Sequence, residues 1–110
     1  MTQGQRERDA EHPFISVIIP VYNATRTLSE TLRAVCASDY PTFEVIVVDD
    51  CSTDGSRELA EEFPVRLIAQ PKNLGVARAR NRGADEAKGE VLVFMDSDIV
   101  PEPGLSLIHI

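Results

Sequence analysis

The sequence predicts an α/β fold in which a mostly parallel β-sheet is flanked by helices on both sides. Segments typical of strands and helices alternate in the order β-α-β-α-β-α-β, which requires crossover connections between parallel strands. The strand segments are short and almost continuously apolar, as expected when helices cover both faces of a sheet. No internal repeat or low-complexity stretch competes with this interpretation.

The first strand and helix are predicted from an apolar run and a helical stripe. Residues 15–19 form the apolar run, and we expect Pro20 to end it. A helix is predicted over residues 25–37, where Thr27 and Glu30 have the spacing of a capping box. Apolar residues recur at helical spacing along it: Leu28, Leu32, Val35 and Cys36.

The remaining elements follow from the same patterns. They are a strand over 44–48, a short helix over 56–63, a strand over 65–69, a helix over 75–87 and a strand over 91–95. In the last helix one face carries small residues and a single arginine, and we expect it to pack on the sheet: Ala77, Arg80, Ala84 and Ala87. A guanidinium buried there requires an anionic partner.

Length and composition limit what the chain can be. Its 110 residues suffice for one small domain, and 43% hydrophobic residues allow a core, although residues 1–12 read as a disordered polar tail. The formal net charge of −7 argues against nucleic acid as a partner. No segment reaches the roughly 18 apolar residues of a membrane span, so we expect a cytoplasmic location. Cys36 and Cys51 are expected to be reduced.

Acidic residues follow two of the predicted strands. Asp96 and Asp98 come after the last strand, and Asp49 and Asp50 follow the second. In an extended backbone, residues i and i+2 point to the same side, roughly 6–7 Å apart. Carboxylates gathered at one sheet edge repel one another unless a cation lies between them. Because ligands bind at the carboxyl ends of parallel strands, the pattern predicts a divalent-metal site at this edge.

Two phosphate-binding motifs are missing from the chain. Neither GxGxxG nor GxxxxGK[ST] occurs, which separates the sequence from dinucleotide-dependent dehydrogenases and P-loop NTPases. A bound diphosphate would therefore need a divalent metal to bridge the negative charges.

Each candidate residue also has a plain structural explanation. Asp96 and Asp98 are of a residue type that is common in solvated turns. Of Asp49 and Asp50, one could cap a helix or brace a loop while the other contacts the ligand. Arg80 would pair with the acidic edge, with a bound phosphate, or within a purely structural ion pair.

Four stretches together resemble a known family. Residues 16–23, 47–56, 73–81 and 89–98 follow the order and approximate spacing found in family 2 glycosyltransferases. The resemblance implies the GT-A fold, a Rossmann-like sheet, with residues 13–103 forming part of that domain. It also implies that Asp96-Ser97-Asp98 is the DxD motif of the family.

The resemblance further implies binding of a nucleotide-diphosphate sugar, most often a UDP-sugar. Asp98 would ligate Mn²⁺ or Mg²⁺, and Asp96 would contact the ribose or a metal-bound water. Arg80 would help to hold the nucleotide or diphosphate, and Asp49 would support the site. The base and ribose pocket would be lined by Pro20, Tyr22 and Asp50.

The chain departs from the family pattern in three respects. It ends just after the DxD motif, so we expect the catalytic base of an inverting transfer to lie downstream, and the chain alone to be inactive. Residues 104–110 do not continue the family pattern, and we interpret them as a non-native tail. Cys51 stands where the family often has glycine.

Two alternatives belong to other functional classes. A receiver-like signalling domain also gathers acids and Mg²⁺ at strand ends, but its third strand should end in a phosphoacceptor aspartate, whereas here Ala69, Gln70 and Pro71 follow. The other alternative is a non-catalytic nucleotide-binding module.

Overall fold

A computed structural model describes residues 13–98 as a four-stranded parallel sheet with helices on both faces. The expected polar tail and the suspected non-native tail lie outside these residues. The strands are β1 (Ile15–Val21), β2 (Phe43–Asp49), β3 (Arg66–Ala69) and β4 (Val91–Phe94), and the helices are α1 (Thr25–Cys36), α2 (Ser56–Ala60) and α3 (Val76–Glu86). The predicted fold class and element order are confirmed.

The strand order β3-β2-β1-β4 contains one reversal of direction across the sheet. The chain adds β2 and then β3 on one side of β1, and returns to place β4 on the other side. The carboxyl ends of β1 and β4 therefore form a topological switch point, where open α/β sheets leave a crevice for ligands.

The sheet separates two cores, and alternate residues of β2 contribute to both. Val17 and Ile19 of β1 pack with Leu28 and Leu32 of α1 on one face. On the other face, Ala79 of α3 packs in a smaller cluster with three β-sheet residues, Ile46, Val48 and Ile68. Burial of these apolar side chains against the sheet holds both helical layers in place.

The sheet-facing side of α3 differs from the predicted one. Ala79 and Gly83 are buried against the sheet, whereas Ala77 is exposed. At Gly83 an added Cβ would lie 2.5 Å from Cγ2 of Ile18, so α3 approaches β1 too closely for any side chain. The predicted stripe was right at Ala87, which packs against the core on this face, and wrong at Ala77. Helix α3 carries small residues on several sides, so its sequence does not specify the closest contact.

Pro20 does not end β1, contrary to the prediction. In this parallel strand alternate residues direct their backbone groups to opposite neighbours. The carbonyl of Ile18 accepts a hydrogen bond from the Met95 N–H on the β4 side, at 3.0 Å. The position of Pro20 faces the same side, beyond the last register pair between β1 and β4, Ile18 with Phe94. Its missing N–H therefore removes no ladder bond.

The helix preceding β3 is shorter than predicted, and the last strand ends one residue early. Helix α2 stops at Ala60 rather than residue 63, and β4 stops at Phe94 rather than residue 95. The described residues contain no helix long and apolar enough to cross a membrane.

Candidate functional site

A cleft of about 700 Å³ lies at the switch point between the carboxyl ends of β1 and β4. Its walls come from the β1–α1 segment, the end of β2, the start of α3 and the segment after β4. The lining residues are Pro20, Val21, Tyr22, Asn23, Ala24, Arg26, Thr27, Asp50, Val76, Ala79, Asp96, Ser97 and Asp98. Five predicted site residues are among them: Pro20, Tyr22, Asp50, Asp96 and Asp98.

The wall formed by residues 22–25 is held by side chains of the β2–α2 loop. Three successive backbone N–H groups donate to that loop: Asn23 to Ser52 Oγ at 2.9 Å, Ala24 to Ser56 Oγ at 2.8 Å and Thr25 to Asp54 Oδ2 at 3.2 Å. In return, the Thr53 N–H donates to Asn23 Oδ1 at 2.8 Å. We call these contacts the loop clamp. They fix the backbone that carries Tyr22.

The loop clamp also replaces the predicted capping box of α1. Ala24 precedes the helix and gives no side-chain cap, and Glu30 is exposed. Instead, Asp54 accepts hydrogen bonds from the N–H and the hydroxyl of Thr25, the latter at 3.0 Å. The capping-box prediction was wrong because a carboxylate distant in sequence takes the place of a local one.

Hydrogen bonds lower the pKa of Asp54 to about 2. The largest cause is the Ser56 hydroxyl, which donates to Asp54 Oδ1 at 2.6 Å. The backbone N–H groups of Thr25 and Ser56 and the Thr25 hydroxyl also donate to this carboxylate and lower its pKa. Donors directed at a carboxylate favour its charged form. Asp54 therefore clamps the loop as an anion at neutral pH.

Asp50 joins the end of β2 to the start of α3. It is 4% exposed, and its two carboxylate oxygens accept hydrogen bonds from Leu74 N–H at 2.8 Å and Gly75 N–H at 2.9 Å. Gly75 has a φ of +96°, a conformation that favours glycine. Asp50 thus braces the loop and also lines the cleft.

Asp49 lies outside the cleft lining and is 1% exposed. Its Oδ2 accepts a hydrogen bond from Ser52 N–H at 3.1 Å, which shapes the turn where the clamp loop begins. Its Oδ1 has no hydrogen-bond partner among the described residues. This placement agrees with a supporting role rather than direct contact with a ligand.

Arg80 pairs with Asp96 across the edge of the cleft. A guanidinium nitrogen, Nη2, lies 3.2 Å from Asp96 Oδ1, and the two side chains are 42% and 53% exposed. The expectation of a buried guanidinium holds in part, because the Arg80 Nε is buried and has no hydrogen-bond partner among residues 13–98. The expected pairing with the acidic edge is present. Arg80 itself is not among the residues lining the cleft.

The segment 96–98 is a turn held by α1. The Ser97 carbonyl accepts hydrogen bonds from the hydroxyls of Thr27 at 2.9 Å and Thr31 at 3.0 Å. The extended i, i+2 geometry predicted for Asp96 and Asp98 is therefore wrong, since β4 has already ended. The Asp98 carboxylate has no hydrogen-bond or ion-pair partner within residues 13–98, and it lines the cleft.

The charge arrangement fits a metal bound together with a phosphate ligand. Within the described residues, no three His, Cys, Asp or Glu side chains are grouped so that they could hold a metal ion. Asp50 is balanced by backbone donors and Asp96 by Arg80, so no cation is needed to relieve repulsion. Mg²⁺ commonly binds one or two carboxylates together with substrate phosphates and water. Asp98 and Asp96, which both line the cleft, would supply such a donor set.

Two apolar side chains are exposed in the cleft. Tyr22 is 51% exposed and Val76 is 53% exposed, and both belong to the lining. Because Tyr22 is exposed rather than packed in a core, its ring offers a surface on which a planar ring can stack. Val76, at the start of α3, was not anticipated from the sequence, because a lone valine after a loop carries no signal.

Sequence reasoning also missed Arg26 and the two threonines of α1. The threonines Thr27 and Thr31 are four residues apart and face the Ser97 carbonyl, which only the folded chain brings near. Arg26 lines the cleft from the first turn of α1.

Comparison with known proteins establishes the family. The model of glycosyl transferase family 2 matches residues 16–108. The chain belongs to this family. The receiver-like alternative is therefore excluded.

Relatives in family 2 place the matched region within longer proteins. Glycosyltransferase AglE of Haloferax volcanii is 38% identical over an alignment 108 positions long, and the alignment covers 87% of this chain and 36% of AglE. This chain therefore spans about a third of that relative's length.

Solved structures share the GT-A fold and were determined with nucleotide sugars. TarS of Staphylococcus aureus, residues 1–349 in complex with UDP-GlcNAc, superposes with a TM-score of 0.73 at 36% identity, covering 77% of this chain and 26% of that one. Mannosyltransferase PcManGT of Pyrobaculum calidifontis, in complex with GDP-Man and Mn²⁺, gives 0.72 at 35% identity, covering 79% and 28%.

Proposed function

We propose that this chain forms the donor-binding part of a metal-dependent glycosyltransferase. The parent would transfer a sugar, most simply a hexose, from a nucleotide diphosphate to an acceptor hydroxyl with inversion. The observation that carries the proposal is the cleft at the switch point, where an exposed aromatic residue and three carboxylates face one cavity. The family relationship and the nucleotide-sugar complexes of its relatives support it.

The apolar end of the cleft is assigned to the nucleoside. Tyr22 offers a ring face to the base, with Pro20 beside it on β1. The Asp50 oxygens each retain a lone pair after binding Leu74 and Gly75 N–H, and these accept hydrogen bonds from the base or ribose. Asp49 acts through the turn it holds at Ser52.

The acidic end is assigned to the diphosphate and its metal. Asp98 would ligate Mn²⁺ or Mg²⁺, and Asp96, oriented by Arg80, would bind a metal-bound water or the ribose. When bound, the metal supplies a positive charge that neutralises the diphosphate and makes it a better leaving group. Metal use by PcManGT supports this assignment.

The base that deprotonates the acceptor is assigned to no residue of this chain. Asp50 is assigned to the base or ribose, Asp96 is paired with Arg80, and Asp98 is committed to the metal. A general base must reach the acceptor hydroxyl with a free lone pair. We therefore expect the 110 residues to bind the donor without transferring its sugar.

Thermal unfolding with and without nucleotide tests this proposal. UDP should raise the melting temperature of the chain only when Mn²⁺ is present, since a ligand at 100 times its Kd adds about 2.7 kcal/mol of stability. Asp98→Asn should abolish the rise, and Asp85→Asn, an exposed change on α3 away from the cleft, should keep it. An unchanged melt with UDP, GDP and Mn²⁺ would refute the proposed donor site.

A further inference from the structure

Among the described residues that line the cleft, Arg26 is the only one with a cationic side chain. It lies in the first turn of α1 and is exposed. The other arginine with an expected role in the site, Arg80, is bound to Asp96 and lies outside the lining. The cleft wall therefore presents one guanidinium, and it is not the predicted one.

The Arg26 guanidinium has no hydrogen bond or ion pair with any residue in 13–98. Glu30 lies one helical turn further along α1, but the two side chains form no ion pair. Three arginines elsewhere in the described part of the chain are paired with acids: Arg66, Arg80 and Arg82. Arg26 is thus available to a ligand in the cleft.

Helix stability does not explain this arginine. The first turn of α1 contains no acidic residue, and a cation at the amino end of a helix is electrostatically unfavourable. An arginine preceding a glutamate by four residues is also the weaker orientation for a helical ion pair. The Asp54 carboxylate already binds Thr25 at this end of α1, so the helix itself gives no reason for a cation at the next residue.

The charges left in the cleft match a diphosphate with its metal. Asp50 accepts hydrogen bonds from two N–H groups, and Asp96 is paired with Arg80. Asp98 and Arg26 remain as one negative and one positive charge without partners among residues 13–98. A nucleotide-diphosphate sugar carries two negative charges on its phosphates. A carboxylate suits the metal, and a guanidinium suits the phosphate oxygens, which it binds through two parallel N–H groups.

We propose that Arg26 binds the diphosphate of the nucleotide sugar and stabilises it as the leaving group, an inference that rests on the proposed function. In the transfer, the bond between the anomeric carbon and the diphosphate oxygen breaks, and its electron pair stays on that oxygen. The acceptor oxygen bonds to the anomeric carbon and loses its proton to the base. The released nucleoside diphosphate carries one more negative charge than the donor, and the guanidinium favours that state.

Calorimetric titration of a phosphate series tests the assignment. Uridine, UMP and UDP, with the guanosine series in parallel, are titrated with Mn²⁺ into the wild-type chain, Arg26→Gln and Arg26→Lys. The control is Arg33→Gln, which removes the same charge from the last turn of α1, outside the cleft lining.

Affinity for the nucleoside diphosphate should fall about tenfold or more in Arg26→Gln, as expected for loss of a charged hydrogen bond. Affinity for the nucleoside should stay within about twofold, since no phosphate is present to bind. Arg26→Lys should restore part of the loss, because it keeps the charge but not the fork of donors.

Three results would overturn the assignment. An equal loss for nucleoside and diphosphate would show that Arg26 acts on the base pocket or the fold. An equal loss in Arg33→Gln would show a general charge effect, and unchanged diphosphate binding in Arg26→Gln would show no contact. A wild-type chain that binds neither series would instead refute the proposed function itself.

Discussion

The carboxylate of Asp54 binds both the backbone N–H and the hydroxyl of Thr25, the first residue of α1. These residues lie 29 positions apart in the sequence. Together with Ser52 and Ser56, Asp54 holds the backbone that presents Tyr22 to the cleft. The stability of the β2–α2 loop and the shape of the candidate donor site are thereby coupled.

Asp54→Ala should destabilise the chain by about 1 kcal/mol, the usual cost of losing a helix cap. It should also weaken nucleoside binding, because the loop that carries Tyr22 is released. Urea unfolding and titration with uridine measure the two effects. Asp39→Ala, at an exposed position without a hydrogen-bond partner within residues 13–98, is the control. Full nucleoside affinity in Asp54→Ala would show that the loop clamp does not shape the site.

The low pKa of Asp54 predicts an acid-dependent loss of stability. The pKa falls from 3.8 to about 2 in the folded chain, so the folded state binds fewer protons than the unfolded state. Its contribution is complete above about pH 4 and is lost as the pH falls towards 2. The stability difference between wild type and Asp54→Asn should therefore shrink across that interval. A difference that stays constant from pH 5 to pH 2 would contradict the assignment.

Gly83→Ala should destabilise the chain, although alanine is the better helix former. On an exposed helix surface the change would stabilise by up to about 1 kcal/mol. Here the new Cβ would meet Ile18 Cγ2 at 2.5 Å and Val48 Cγ2 at 3.2 Å, and overpacking of this kind costs about 1–3 kcal/mol. Urea unfolding measures whether the variant is less or more stable than the wild type. A more stable variant would mean that α3 does not approach β1 this closely.

Cys51→Gly should stabilise the chain by up to about 1 kcal/mol. A non-glycine residue in the left-handed region costs about 1–2 kcal/mol. The greater freedom that glycine gives to the unfolded chain offsets part of the gain. Cys51 has a φ of +66°. Cys51→Ala should give no such gain, because it keeps the Cβ. Equal melting temperatures for the glycine and alanine variants would argue against strain at this turn.

The strands were predictable because a parallel strand that is buried on both faces consists of nearly continuous apolar residues. Residues 15–19 and 44–48 form such runs and show no helical periodicity. The face of α3 was not predictable, since Ala77, Ala79, Gly83 and Ala84 are all small. Periodicity alone cannot say which of them contacts Ile18.

The acidic edge was predictable in position but not in geometry. Asp50, Asp96 and Asp98 do meet at one cleft, as expected for strand ends in a parallel sheet. Their partners were hidden, because Leu74, Gly75 and Arg80 come from a distant loop and helix. Arg26 was missed because the sequence does not distinguish an arginine that lines a cleft from one on the open surface.

The most direct test of the central claim is paramagnetic broadening of backbone amide signals by Mn²⁺, with and without UDP. Two carboxylates alone bind the metal weakly, and the diphosphate completes its ligand set. Broadening centred on residues 96–98 and reaching residues 22–27 should therefore appear at low Mn²⁺ only when UDP is present, and Asp98→Asn should remove it. Broadening that does not depend on UDP, or that centres at the opposite end of the sheet near Glu44, would contradict a donor site at the switch point.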